Sequence, residues 1–499
     1  MNERPPSGPA LALTLLAGVL FALSAWHFAP HQGDDGFIFL RYAQRLASGH
    51  GLGFTDGVAP VEGYSSPLWL LLLTGPAALG VDLVVAVKVL SALSVGALLA
   101  GVWILVRQLG GSALHAAVAW LALALLRPPM FWAFTGLETP LYAATMVWTA
   151  VGLARGRGLW AVGGGVLGVL RPEGPGLAVV TLLLGAFRER RLPRVWEVVA
   201  ALGPAAVWLV VRLVVYGDVL PNTFYAKAAG APVAQALRGL AYAGLLTPGL
   251  ALIAIGWWLG RDAPRQDGDP ERDPRAIPAI LGLTGTLLAV VIAGGGDWMW
   301  FARLLVPILP LTIVLLVTAR PGMPRLVSLA AILGLIPHLS PIGTWDDIRS
   351  FEPLPMEAFQ EGGMTGAEQA AGRWLQAHAE PGALVAINHA GALPYAAPDL
   401  RFLDMTGLLD AHIAHEASGG LHERYDVDHV LEQDPAWVVL HTRSPLTAEL
   451  GVATPDYWVG ETALVQDPRF AERYEPAGAA WSWQWVAANT SYTVIYRRR

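Results

Sequence analysis

Long apolar runs separated by short polar segments fill the first two thirds of the chain, and they predict a bundle of membrane-spanning helices. A spanning helix needs about 20 predominantly apolar residues, and helices inside a large bundle can be shorter. We predict about eleven spans, at residues 10–28, 84–106, 112–127, 139–154, 159–171, 174–187, 195–216, 239–259, 277–293, 302–318 and 325–341. A signal peptide is the competing interpretation of the first run, but that run is long enough to span.

The run at 67–80 is short and contains Pro76, and the positions of the basic residues indicate that it does not cross the bilayer. Arg and Lys concentrate in cytoplasmic loops of membrane proteins. The basic clusters all fall on one side only if 67–80 lies on, or dips into, the outer leaflet. They are Arg107, Arg155 with Arg157, 188–194, 261–275, and Arg320 with Arg325. With a cytoplasmic N-terminus, this topology places the segment after residue 341 outside the cytoplasm.

Residues 342–499 have a different pattern and predict a small α/β domain. Runs at 383–388, 437–441 and 492–496 are typical of strands, residues 366–378 are typical of a helix, and Gly and Pro separate them. We therefore divide the chain into a membrane domain at 1–341, with a first outer loop at 29–83, and an extracytoplasmic domain at 342–499.

Composition supports a membrane protein and excludes several other classes. Apolar residues make up 54% of the 499 residues and charged residues 14%, whereas soluble domains carry about a quarter charged residues. The net charge of −6 and the lack of a basic tract argue against a nucleic-acid partner. The chain has no cysteine, which excludes disulfides, thiolate metal sites and a cysteine nucleophile.

The first outer loop carries the strongest chemical signal. Asp34 and Asp35 follow the first span directly, and ionisable groups at such a position are costly and usually functional. One aspartate could cap the following amphipathic helix, but capping does not explain two adjacent carboxylates and Glu62 in the same loop. The loop reads DDGFIFLRYAQRLASGHGLGF from 34 to 54 and VEGYSSPLW from 61 to 69.

This loop, followed by a multi-span bundle, resembles the GT-C glycosyltransferases, which use polyprenyl-phosphate sugars. More narrowly, it is similar to the terminal β-arabinofuranosyltransferases of actinobacteria and their uncharacterised bacterial relatives. Ser65-Ser66 departs from the Thr-Asn typical of those enzymes, so the resemblance leaves the sugar open. Further similar segments lie at 136–140, 171–174, 220–227, 295–299, 390–395 and 404–414.

The resemblance implies a polytopic α-helical membrane enzyme of the GT-C type, with Asp34 or Asp35 as the catalytic base. Glycosyl transfer from a lipid phosphate needs a base for the acceptor hydroxyl and positive charge for the departing phosphate. Arg171, Lys227 and Arg303 are candidate phosphate ligands, although Arg171 could instead form a structural ion pair with Glu173. The other candidate substrate-binding residues are Arg41, Glu62, Tyr64, Glu138, Glu173, Asn222, Tyr225 and Asp297.

Three further patterns have simpler alternatives. A divalent cation, Mg²⁺ or Mn²⁺, would suit Asp34 and Asp35, and the sequence leaves the metal requirement of the reaction open. Gly163 to Gly168 satisfies a dinucleotide-binding pattern, yet within a span it favours close helix packing. Trp481, Trp483 and Trp485 share one face of a strand and could stack on a sugar or pack internally.

The leading hypothesis is an inverting glycosyltransferase in the bacterial cytoplasmic (inner) membrane. Its donor is a polyprenyl-phosphate sugar, with arabinofuranose the best single guess, and its acceptor is a glycan of the cell envelope outside the membrane. The alternatives are a transporter or flippase of a lipid-linked saccharide and a non-catalytic scaffold on the same fold. A transporter would be expected to show inverted repeats and broken helices, and the sequence shows neither.

Overall fold

The structure is a computed structural model. It describes residues 8–227, 232–246, 275–297, 299, 301–318, 363–419, 423–443, 458–486 and 489–499. The predicted span at 325–341 and most of the span at 239–259 and of the basic loop at 261–275 lie outside these residues. The number of spans therefore stays a prediction.

The described part of the chain is mostly helical. Its helices are α1 (Gly8–Phe28), α2 (Asp34–Ala47), α3 (Pro67–Ala78), α4 (Leu83–Gln108), α5 (Ala113–Leu125), α6 (Arg127–Trp132), α7 (Thr139–Arg155), α8 (Leu159–Leu167), α9 (Gly174–Glu189), α10 (Val195–Val215), α11 (Asn222–Lys227), α12 (Pro232–Ala243), α13 (Ala276–Ala293), α14 (Leu309–Thr318), α15 (Met364–His378), α16 (Ala392–Ala396), α17 (Ala411–Glu416), α18 (Val427–Glu432), α19 (Val459–Gln466) and α20 (Pro468–Arg473). Single 3₁₀ turns occur at Gly244–Leu246 and Arg303–Leu305.

Four of these helices, α1, α4, α10 and α13, are long and apolar enough to cross a membrane. Several predicted spans coincide with shorter helices. The span expected at 302–318 is an α-helix only from Leu309; Phe301 and Ala302 adopt positive φ angles of 57° and 48°, and Arg303–Leu305 forms a 3₁₀ turn. An L-residue in this left-handed region ends a right-handed helix.

The strands of the described residues form one five-stranded sheet. They are β1 (Leu384–Ile387), β2 (Arg401–Asp404), β3 (Trp437–Thr442), β4 (Tyr474–Val486) and β5 (Asn489–Arg498), in the spatial order β2-β1-β3-β5-β4. The pairs β1–β2 and β1–β3 are parallel, and β3–β5 and β4–β5 are antiparallel. The three runs predicted as strands correspond to β1, β3 and β5.

The chain clusters into two compact units. The first contains Met1–Ala29, Lys88–Val207 and Ala231–Glu352, and the second contains Pro30–Val87, Trp208–Gly230 and Pro353–Arg499. The second unit thus includes the first outer loop together with the sheet. The predicted boundary near residue 341 stays a prediction.

Small residues allow close helix packing in the first unit. A Cβ at Gly163 would lie 2.2 Å from Oγ1 of Thr149, and one at Gly165 would lie 2.0 Å from the carbonyl oxygen of Ala200. Both glycines belong to α8, which packs against α7 and α10 at these positions. These contacts support the packing interpretation of the glycine-rich pattern.

Candidate active site

The predicted site residues divide between the two units. The second unit holds Asp34, Asp35, Arg41, Glu62, Tyr64, Asn222, Tyr225 and Lys227, and the first holds Glu138, Arg171, Glu173, Asp297 and Arg303. Each group is described within its own unit.

Asp34 and Asp35 form the first turn of α2, where the positive end of the helix dipole favours negative charge. The N-cap of α2 is Gly33, and Asp34 instead binds the start of another helix, α16. The backbone N–H of Gly391 donates to Oδ2 of Asp34 at 3.1 Å, and that of Ala392 donates to Oδ1 at 2.7 Å. Burial raises the pKa of Asp34 to about 6, while His389 and the hydrogen bond from Ala392 act in the opposite direction.

Gly391 makes this contact possible. A Cβ at this position would lie 1.9 Å from the carbonyl oxygen of Asp34 and 2.7 Å from its Cγ. No heavy atom fits at such distances, so only glycine allows the two backbones to approach this closely.

Arg41 is buried in the second unit, and its guanidinium contacts backbone carbonyls. Nε donates to Phe54 at 3.1 Å and Nη2 donates to Leu400 at 3.1 Å, while Nη1 donates to Pro394. The rings of Phe54 and Phe402 also lie against the guanidinium. These contacts favour a structural role for Arg41 over the predicted substrate contact.

Glu62 and Tyr64 are also buried and bind α10 and the residue that follows it. Glu62 accepts hydrogen bonds from Nε1 of Trp208 at 2.9 Å and from two nitrogens of Arg212. The hydroxyl of Tyr64 lies 2.8 Å from that of Tyr216. Both side chains therefore anchor the first outer loop to the end of α10, within the second unit.

Asn222, Tyr225 and Lys227 lie in α11. Nδ2 of Asn222 donates to the carbonyls of Gly407 at 2.8 Å and Leu408 at 2.9 Å, which holds the loop after β2. The ring of Tyr225 lies 4.2 Å from that of His415. Lys227 is exposed.

In the first unit, Arg171 lies between two carboxylates. Nη1 donates to Oε1 of Glu138 at 2.5 Å, and Nε donates to Oε1 of Glu173 at 2.9 Å, which also accepts from the hydroxyl of Tyr142. The ion pair of Arg171 with Glu173, left open by the sequence, is present.

Arg303 and Asp297 form a second ion pair in this unit, with Nε of Arg303 2.8 Å from Oδ2 of Asp297. The ring of Trp132 lies 5.5 Å from the guanidinium carbon of Arg303. Both partners are largely buried, and the left-handed residues Phe301 and Ala302 immediately precede Arg303.

A cavity of about 60 Å³ brings Arg171 and Arg303 together in the first unit. This volume holds about four waters, or one group of phosphate size. Its polar lining is Thr139, Tyr142, Arg171, Glu173 and Arg303, and its apolar lining is Leu287, Val290, Val291, Leu304 and Pro307. Two guanidinium groups in this cluster meet the carboxylates of Glu138, Glu173 and Asp297.

The sequence interpretation missed one polar cluster in the second unit, formed by Glu368, His389 and His441. Only the structure brings the two histidines together, through the parallel pairing of β1 with β3 that sets Ala386 beside Val438. Continuing this register by three residues sets His389 beside His441, and their rings lie 4.2 Å apart.

Trp483 does not form the sugar-stacking face considered above. It is 1% exposed and packs with Met364 and Ala367 of α15, and its Nε1 donates to Oγ1 of Thr493 at 3.2 Å. The side chain of Trp485 lies outside the described residues. Internal packing is therefore the role of Trp483.

Comparisons with known proteins address the fold. A family described as a domain of unknown function (DUF8728) matches residues 357–495. No curated protein matches the chain in sequence.

Solved structures match over most of the chain. ArnT from Cupriavidus metallidurans, bound to undecaprenyl phosphate, has a TM-score of 0.56 and 14% identity over 97% of each chain. The Archaeoglobus fulgidus oligosaccharyltransferase, in complex with Zn and sulfate, has a TM-score of 0.50 and 12% identity over 92% of this chain and 70% of that one. The mycobacterial arabinofuranosyltransferase AftD has a TM-score of 0.46 and 17% identity over 97% of this chain and 40% of that one. At these identities the likeness concerns the fold alone, and the chain has the GT-C glycosyltransferase fold.

Proposed function

We propose that the protein is an inverting glycosyltransferase that moves a sugar from a polyprenyl phosphate to a cell-envelope glycan. The observation that carries this proposal is the likeness over 97% of both chains to ArnT with undecaprenyl phosphate bound. The Asp34-Asp35 pair at the start of α2 supplies the carboxylates that such a reaction needs.

The donor sugar proposed first is arabinofuranose, on the resemblance of the first outer loop, and other pentoses and hexoses are tested beside it. The reaction is placed at the outer face of the bacterial cytoplasmic membrane, with residues 342–499 on that side. The distribution of Arg along the chain supports this orientation.

In the proposed reaction, a carboxylate removes the proton of an acceptor hydroxyl as its oxygen attacks the anomeric carbon. The bond from that carbon to the donor phosphate oxygen breaks, and polyprenyl phosphate leaves with the electron pair. Attack from the side opposite the phosphate inverts the anomeric configuration. A positioned base contributes about 10²–10⁴ to such a rate.

We assign the base to Asp35 and a positioning role to Asp34. The raised pKa of Asp34 would suit a base, but each of its carboxylate oxygens accepts a backbone hydrogen bond. Such bonds stabilise the ionised form and reduce its tendency to take a proton. Geometry outweighs the pKa here, because the two contacts fix Asp34 to the backbone of residues 391–392.

We assign the donor phosphate to the cavity lined by Arg171 and Arg303. Both guanidinium groups line this cavity, and both pair with carboxylates, Arg303 with Asp297 and Arg171 with Glu138 and Glu173. A bidentate guanidinium would bind the phosphate and stabilise its charge as it departs.

The test is transfer by the purified protein in detergent from a panel of radiolabelled polyprenyl-phosphate sugars to envelope glycan. Wild type is assayed beside Asp35→Asn and Asp34→Asn, with the thermal unfolding midpoint of each measured. Transfer by the wild type and its loss in Asp35→Asn at an unchanged midpoint would support the assignment. A folded wild type that transfers nothing from any donor would favour the transporter or scaffold alternatives.

A further inference from the structure

Three buried or largely buried side chains in the second unit direct ligand-type atoms at one point. Oε1 of Glu368 lies 3.0 Å from Nε2 of His441 and 3.4 Å from Nδ1 of His389. All three ligand-type atoms lie within 4.8 Å of one another. Glu368 comes from α15, His389 follows β1, and His441 belongs to β3, so three separate elements supply the group.

These separations match the edges of a metal coordination shell. Zinc binds imidazole nitrogen and carboxylate oxygen at about 2.0–2.2 Å, so two ligands of a tetrahedral ion lie about 3.4 Å apart. Two histidines with one glutamate form a known zinc ligand set, which leaves the fourth position for water or another ligand.

A second carboxylate orients one of the histidines. Nδ1 of His441 lies 2.7 Å from Oε1 of Glu461, whose Oε2 accepts from the backbone N–H of His441 at 2.8 Å. Nδ2 of Asn388 donates to the same carboxylate. A histidine that binds a metal commonly donates its other ring N–H to a carboxylate in this way, which leaves the remaining nitrogen as the ligand.

Two polar atoms of the group are buried and make no hydrogen bond among the described residues: Oε2 of Glu368, and Nδ1 of His389, whose contact with Oε1 of Glu368 at 3.4 Å does not meet hydrogen-bond geometry. Buried polar atoms are normally hydrogen-bonded, and an exception needs an explanation such as an ion. The two atoms belong to two of the three candidate ligand side chains, and a cation at this point would give each of these side chains a partner.

We propose that Glu368, His389 and His441 bind one divalent transition-metal ion, zinc by the chemistry of the ligand set. The ion joins α15 to the ends of β1 and β3 and so fixes the segment that follows His389. Gly391 and Ala392 in that segment bind the carboxylate of Asp34. The metal is thus a positioning element for the acidic pair, and its binding does not depend on glycosyl transfer.

The alternative is that a proton takes the place of the metal. Burial would lower the pKa of His441, but the charges of Glu461 and Glu368 outweigh it and raise that pKa to about 10. A protonated His441 between two carboxylates would then be a structural ion pair. A direct measurement of metal binding separates the two interpretations.

The probe is Co²⁺, which replaces zinc and absorbs visible light when four-coordinate. The full chain, purified in detergent with a histidine-free tag and treated with a chelator, is titrated with Co²⁺. We expect one ion per chain and the absorption of a four-coordinate ion, with zinc displacing it. His412→Gln is the matched control, because His412 stacks on His429 at a more exposed position of the same unit.

The decisive variant is His389→Cys, because the natural chain has no cysteine. If residue 389 is a ligand, this variant gains a cobalt–thiolate charge-transfer band that the wild type lacks. His378→Cys, at an exposed position of α15, should show no band.

Three results together would support the site. The wild type binds one Co²⁺, His412→Gln still binds it, and the new charge-transfer band appears in His389→Cys but not in His378→Cys. A wild type that binds no Co²⁺ would overturn the proposal. So would loss of binding in His412→Gln, or a folded His389→Cys without the band. If His389→Cys does not fold, the zinc content of wild type after chelation and zinc addition decides, and less than half an ion per chain overturns the site.

Discussion

At the scale of single residues, the two adjacent aspartates have different proposed roles, and the difference can be measured. Asp35→Asn removes the proposed base without touching the backbone contacts of Asp34. We expect kcat to fall by about 10²–10⁴ at an unchanged unfolding midpoint. Full activity in Asp35→Asn would contradict the assignment.

Asp34→Asn should have a different result. The amide nitrogen of the new side chain would face a backbone N–H of Gly391 or Ala392, and a donor facing a donor loses about 1–3 kcal/mol. We expect a lower free energy of unfolding in denaturant titration, together with reduced transfer. Equal stability of wild type and Asp34→Asn would argue against a positioning role.

Gly391 is a second residue with a specific consequence. Gly391→Ala places a methyl group 1.9 Å from the carbonyl oxygen of Asp34, so α2 or the loop must move. We expect a loss of about 1–3 kcal/mol in the free energy of unfolding. Gly75→Ala in α3 is the control, since its Cβ meets nothing within 4 Å, and it should be neutral or stabilising.

The cavity of Arg171 and Arg303 permits a test of charge. Glu173→Gln removes one negative charge from the cavity lining and weakens the hydrogen bond that Nε of Arg171 donates to residue 173. If the cavity binds an anion, we expect a lower KM for the lipid-phosphate donor. A higher KM at an unchanged unfolding midpoint would show instead that Glu173 itself contacts the substrate.

At the scale of elements, the sequence predicts helices and strands well, but it does not predict which distant residues a buried polar side chain will contact. Apolar runs of spanning length require helices, so α1, α4 and α13 lie close to the predicted bounds. By contrast, Arg41 and Glu62 look like substrate ligands in sequence. Their partners, Leu400 and Arg212, are 359 and 150 residues away, and no local pattern indicates such pairings.

The break before α14 belongs to this scale too. Ala302 has φ 48° and ψ 48°, a conformation that costs an L-residue about 1–2 kcal/mol and glycine much less. Ala302→Gly should therefore raise the unfolding midpoint slightly. Ala279→Gly is the control, because residue 279 lies inside the helix α13, where glycine is unfavourable. It should lower the free energy of unfolding by about 1 kcal/mol. A lower midpoint in Ala302→Gly would mean that its buried methyl group matters more than the backbone conformation.

At the scale of the whole molecule, the comparison with solved structures confirms the GT-C fold predicted from the first outer loop. That prediction came from the resemblance of the loop's motifs to those of the GT-C glycosyltransferases. The histidine–glutamate cluster was not predicted, because its members come from α15, β1 and β3 and meet only after the sheet has formed.

The hydrogen bond from Gly391 to Asp34 joins residues 357 positions apart, and this separation has a consequence for biosynthesis. At about 5–20 residues per second, a ribosome needs about 20–70 s to travel between them. Throughout that interval, Asp34 has no access to the backbone groups of Gly391 and Ala392, and Arg41 lacks the carbonyls of Pro394 and Leu400. The nascent first loop must therefore keep these charges hydrated while the intervening helices are inserted, and α2 reaches its final environment among the last steps of folding.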